Sequence, residues 1–91
     1  MVTEVVCIVS GKVQGVGFRD FVTRAAKVYG LNGFVRNKED GTVEVCAQGV
    51  PDELKQFIEE LNEGSVLAKV ESVGIDWRTT RDVCTDFEVR F

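Results

Sequence analysis

The run Gly11-Lys12-Val13-Gln14-Gly15-Val16-Gly17-Phe18-Arg19 joins a β-branched segment to a helical one. Chemistry on an anion can be built at such a junction. Glycines permit tight turns and close backbone approach. Successive backbone N–H groups in the turn, followed by a helix N-terminus, form a concave site for phosphate. Arg19 at the end of the turn adds a charged fork of several donors. The run is not the nucleotide loop G-x-x-x-x-G-K-[ST], because Phe18-Arg19 stands where the lysine and hydroxyl should be, nor is it G-x-G-x-x-G. Its residue types read as a cradle for a small anion. The competing reading is a glycine-rich turn whose arginine faces solvent.

Composition narrows the chemistry further. The chain has 91 residues and no histidine. That absence removes the usual general base, the common zinc sites and every histidine-based triad. Cys7, Cys46 and Cys84 are scattered without metal-ligand spacing and are expected to be free, partly buried thiols. A Cys7–Cys46 bridge would need neighbouring strands with matching faces. The formal net charge is -4, which argues against nonspecific binding to nucleic acid or to an anionic membrane. No basic leader is seen at Met1-Val2-Thr3-Glu4 and no apolar run reaches membrane-spanning length, so a cytoplasmic protein is expected. The length suits one domain over residues 1–91, with its core at about 4–91, and a monomer.

The elements that must position the cradle follow from hydrophobic spacing. Val5-Val6-Cys7-Ile8-Val9 reads as a central strand, apolar on both faces. Phe18, Phe21, Val22, Ala25 and Tyr29 recur at helical spacing, predicting an amphipathic helix over 19–29 that stops at Gly30. Its positive end would lie at the cradle. Residues 33–38 form a second strand, Glu39-Asp40-Gly41 a hairpin turn and residues 42–48 its antiparallel partner. Pro51 opens a second helix with Leu54, Phe57, Ile58 and Leu61 on one face. Its acidic exposed side reads as a solvated face. Alternating residues 73, 75 and 77, then 87, 89 and 91, mark two further strands, and Trp77 is expected in the core with most of the phenylalanines. The order β-α-β-β-α-β plus a C-terminal strand predicts a ferredoxin-like α/β (α+β) sandwich, one mainly antiparallel sheet covered by two helices. Such a fold does not choose a function.

With these residues in view, the chain resembles the acylphosphatase family. Val13-Gln14-Gly15-Val16-Gly17-Phe18-Arg19 looks like one family signature, and Gly33-Phe34-Val35-Arg36-Asn37 with Asp40-Gly41-Thr42-Val43-Glu44 looks like the second. Both occur in order, and the resemblance spans essentially the whole chain. Phe34 is a departure, standing where many relatives carry tryptophan. The resemblance implies hydrolysis of the carboxyl-phosphate bond of small acyl phosphates to a carboxylate and inorganic phosphate, with water as co-substrate and with no metal and no organic cofactor. It implies that Arg19 binds phosphate and that Asn37 positions the water. Gln14, Gly15, Val16, Gly17 and Phe18 would supply backbone N–H donors. The residues alone favour Asn37 as a structural cap of the following turn, and the resemblance puts the water-positioning role ahead. A non-catalytic phosphate- or acyl-phosphate-binding module is the alternative function, while the acidic balance speaks against an RNA-binding sheet.

Overall fold

The structure is a computed structural model that describes residues 2–91. Met1, the first residue of the segment read above for a leader, lies outside the described residues. Strands β1 (Thr3–Lys12), β2 (Asn32–Asn37), β3 (Val43–Gly49), β4 (Lys69–Arg78) and β5 (Phe87–Arg90) form one sheet in the order β4-β1-β3-β2-β5. Helices α1 (Phe18–Val28) and α2 (Pro51–Glu63) complete the predicted sandwich. All neighbouring strands are antiparallel except β2 and β5, which run parallel. The expected βαββαβ order with an added strand is therefore observed, with element ends shifted by a few residues at most on the helices.

Register decides which side chains face the helices. Val5, Cys7 and Val9 of β1 lie opposite Ala47, Val45 and Val43 of β3, and these in turn lie opposite Gly33, Val35 and Asn37 of β2. These rows face the helices, because side chains alternate along a strand. Their apolar members are fully buried and join Phe18, Val22, Ala26, Leu54, Phe57 and Leu61 in one core. The other rows, including Val6, Phe34, Arg36, Glu44, Cys46 and Gln48, face the open side of the sheet. Truncating a fully buried phenylalanine such as Phe18 or Phe57 to alanine costs about 3–5 kcal/mol. The base of the cradle is thus tied directly to the core.

Two side chains depart from expectation. Trp77 is 44% exposed and Ile75 is 46% exposed. Both face the helix side, but on edge strand β4, where Val70 and Val73 are the residues packed against the core. Cover from the helices gives out before the Trp77 end. Phe91 is likewise exposed.

The cysteines are free, as anticipated. Strands β1 and β3 are indeed neighbours, yet Cys7 pairs with Val45 and Cys46 pairs with Val6. One-residue parity places the two thiols on opposite faces, so no bridge can form between them.

Candidate active site

The cradle begins where β1 loses its register. The pairing of β1 with β4 shifts between Ser10 and Gly11, and the chain then leaves the sheet through Val13. Gly15 and Gly17 hold φ of 72° and 74°. A Cβ at either would meet nothing within 4 Å, so the positive φ and not the available space calls for glycine. Gly17 is the N-cap of α1 and provides no side-chain cap. The first helical bond runs from the Phe21 N–H to the Gly17 carbonyl. The N–H groups of Phe18, Arg19 and Asp20 precede it and have no acceptor within the helix. With the helix dipole they make this end electropositive.

A cavity of about 180 Å³ opens at this helix end, lined by Val13, Gly15, Gly17, Phe18, Arg19, Asp20 and Asn37. The structure thus brings Arg19 and Asn37 together with most of the anticipated cradle. Val13 and Asp20 were not anticipated; Asp20 turns outward and pairs with Arg24 one helical turn later, at 3.2 Å. Gln14 and Val16 do not line the cavity. Val16 packs against the core, with the Ser65 hydroxyl 3.5 Å from its carbonyl. The Gln14 side chain reaches the β2–β3 hairpin instead.

Arg19 forms no ion pair with a carboxylate among the described residues. Its guanidinium carbon lies 5.1 Å from the centre of the Phe91 ring. That contact involves no carboxylate, so the fork keeps N–H donors for an anion.

Asn37 is the last residue of β2 and shares a row with Val43 and Val9 on the helix side. Its Oδ1 is buried and has no protein donor among the described residues. Buried polar atoms nearly always find a partner, which sets this acceptor on the cavity wall apart. The adjoining turn does not use Asn37 as a cap. Asp40 fills that role, its Oδ1 accepting from the Thr42 N–H at 3.0 Å and the Thr42 hydroxyl at 2.6 Å. Those bonds hold the Asp40 carboxyl below its ordinary range.

A larger hollow, about 730 Å³, lies on the open side of the sheet. Several of its polar groups answer one another. The Gln48 amide donates to Glu4 and to the Asp82 carbonyl and accepts from the Cys84 N–H, while Glu44 pairs with Arg36. Burial pushes the Cys7 thiol up to about 11. Burial, reinforced by the charge of Glu4, pushes Cys46 up to about 12. Neither thiol is poised as a nucleophile. The smaller cavity sets a cation with no carboxylate partner and an acceptor with no donor, both among the described residues, at a helix N-terminus, a combination the hollow lacks.

Known proteins resemble this chain over most of its length. The chain is 44% identical over 82 residues to an acylphosphatase of Salinibacter ruber, covering 90% of this chain and 86% of the relative. It is 43% identical over 84 residues to an acylphosphatase of Bacillus licheniformis, covering 92% and 93%. The crystal structure of acylphosphatase from Bacillus subtilis superposes with a TM-score of 0.95 at 35% identity, covering all of both chains. A model of the acylphosphatase family matches residues 5–89, and with that match the chain belongs to the acylphosphatase family.

Proposed function

We propose that this protein hydrolyses the carboxyl-phosphate bond of small acyl phosphates, releasing a carboxylate and inorganic phosphate. The reading rests on one observation: Arg19 and the buried, unpartnered Oδ1 of Asn37 line a single cavity at the N-terminus of α1. The relatives' acylphosphatase names support it.

The phosphoryl group enters the cradle with Arg19 spanning two of its oxygens. The N–H groups of the turn and of the first turn of α1 take the rest of the negative charge. Asn37 Oδ1 accepts a hydrogen bond from a water and directs the water oxygen at phosphorus. As that P–O bond forms, the bond from phosphorus to the acyl oxygen breaks, and its electron pair leaves on the carboxylate. The water proton passes to a phosphoryl oxygen. A carboxylate is a good leaving group, so positioning and charge stabilisation supply most of what the reaction needs, and no strong base is required. Catalysis without a metal or an organic cofactor belongs to this reading. So does a cytoplasmic monomer.

The test is hydrolysis of benzoyl phosphate in EDTA, followed by phosphate release and corrected for spontaneous breakdown. The wild type turns over, and Arg19→Ala, folded by circular dichroism, loses at least ~10²–10³ in kcat/KM. Absence of wild-type turnover alongside saturable phosphate binding would make the protein a binding module instead.

A further inference from the structure

Gln14 sits in the cradle run, but its side chain leaves the cradle. Its Nε2 lies 2.8 Å from the Lys38 carbonyl oxygen and 2.9 Å from the Thr42 carbonyl oxygen. Both partners are acceptors only, so both hydrogens of one amide are spent on them. Lys38 follows Asn37 directly, and Thr42 precedes Val43, the register partner of Asn37. The amide therefore grips both strands of the hairpin at its neck, one residue beyond the Asn37–Val43 pair.

Those carbonyls do not need Gln14 to be satisfied. The Lys38 carbonyl also accepts from the Gly41 N–H at 3.2 Å, and the Thr42 carbonyl from the Lys38 N–H at 2.9 Å. The hairpin closes on its own backbone. What Gln14 adds is a connection between a turn and a hairpin that lie 24 and 28 residues apart along the chain. Its main chain stands between Val13 and Gly15, both on the cavity wall.

We infer that Gln14 is a positioning residue whose carboxamide holds the Asn37 hairpin at a set distance from the phosphate cradle, so that cradle and water-directing acceptor move as one body. The inference rests on the role proposed for Asn37 above. It assigns Gln14 a function in turnover exerted by its side chain, separate from any N–H that its backbone offers to phosphate. The effect belongs to kcat, because displacing a reacting group by about 1 Å costs on the order of 10²-fold in rate while phosphate still binds to Arg19 and the helix end.

The test compares wild type, Gln14→Met, Asn37→Ala and the double variant, with benzoyl phosphate as substrate and inorganic phosphate as competitive inhibitor. Gln14→Met keeps the length and removes both donors. It is expected to lower kcat ~10–10²-fold, to change the phosphate inhibition constant by less than about threefold, and to cost less than about twofold more when added to Asn37→Ala. Gln14→Glu, which turns oxygen lone pairs toward two carbonyl oxygens, loses at least as much. Wild-type kcat in either Gln14 variant, with Asn37→Ala impaired, overturns the strut alone. An equal fold loss from Gln14→Met in both backgrounds overturns it too, because the effect would then not pass through Asn37. Full turnover in Asn37→Ala instead overturns the role given to Asn37, and the strut with it. If Gln14→Met proves unstable, Gln14→Glu decides by the same kcat criterion.

Discussion

Arg19 and Asn37 line one cavity from two different elements, the first turn of α1 and the last residue of β2. The pairing brings a charged fork and a neutral acceptor to the same small volume. Arg19 can hold anionic oxygens. Asn37 Oδ1, buried and without a protein donor, can hold only a donor.

Different kinetic signatures follow for two substitutions at Asn37. Asn37→Ala should reduce kcat ~10–10²-fold while the phosphate inhibition constant stays within about twofold, since a removed water ligand does not touch the bound dianion. Asn37→Asp puts a carboxylate beside that dianion and should weaken phosphate binding as well as turnover. Measuring kcat and phosphate inhibition for the pair checks this. If Asn37→Ala mainly abolished phosphate binding and left turnover of bound substrate intact, the water-directing role would be wrong.

Thiol chemistry should separate the three cysteines without touching activity. Cys7 and Cys46 are buried, with thiols held at about 11 and about 12. Cys84 is half-buried in the segment between β4 and β5. Iodoacetamide at pH near 8 should alkylate Cys84 first, and the other two only on the timescale of unfolding. Peptide mass mapping against time checks the order. Retained turnover in a folded variant lacking all three thiols would show that none is essential, and its loss would reopen nucleophilic chemistry.

Acid should weaken the Asp40 turn in a defined direction. The carboxyl is held below its ordinary value of 3.8 by the Thr42 hydroxyl first and the Thr42 N–H second. Its contribution to stability is present above the unfolded value and is lost as the pH falls through the lower folded one. The stability difference between wild type and Asp40→Asn should hold steady from neutrality to pH 4 or so, then shrink on further acidification. Urea unfolding midpoints across that range measure it, and a difference that grew with acid would contradict the sign.

Some of this was legible in the chain because it depends on neighbours in sequence. The helical spacing of Phe18, Val22 and Ala25, the alternation through β3 and the Asp40-Gly41 turn are local properties, and each appears in place. The glycines of the cradle were equally readable, because positive φ at Gly15 and Gly17 is a demand on the residue itself. The family motifs supplied Arg19 and Asn37 as a pair.

Other features required the assembled sheet. Whether Cys7 meets Cys46 turns on a one-residue parity that no spacing reveals, because register is set by pairing across strands and not along one. Trp77 alternates like a core residue but lies on an edge strand beyond the cover of the helices, a matter of how far those helices reach. Gln14 looked like one more cradle residue until the hairpin folded against it. From the sequence came the local geometry and the chemical inventory, since dihedral preference and periodicity act over a few residues. Which groups share a cavity, which face a thiol takes and where a carboxamide spends its hydrogens were decided by tertiary structure, because those contacts join segments far apart along the chain.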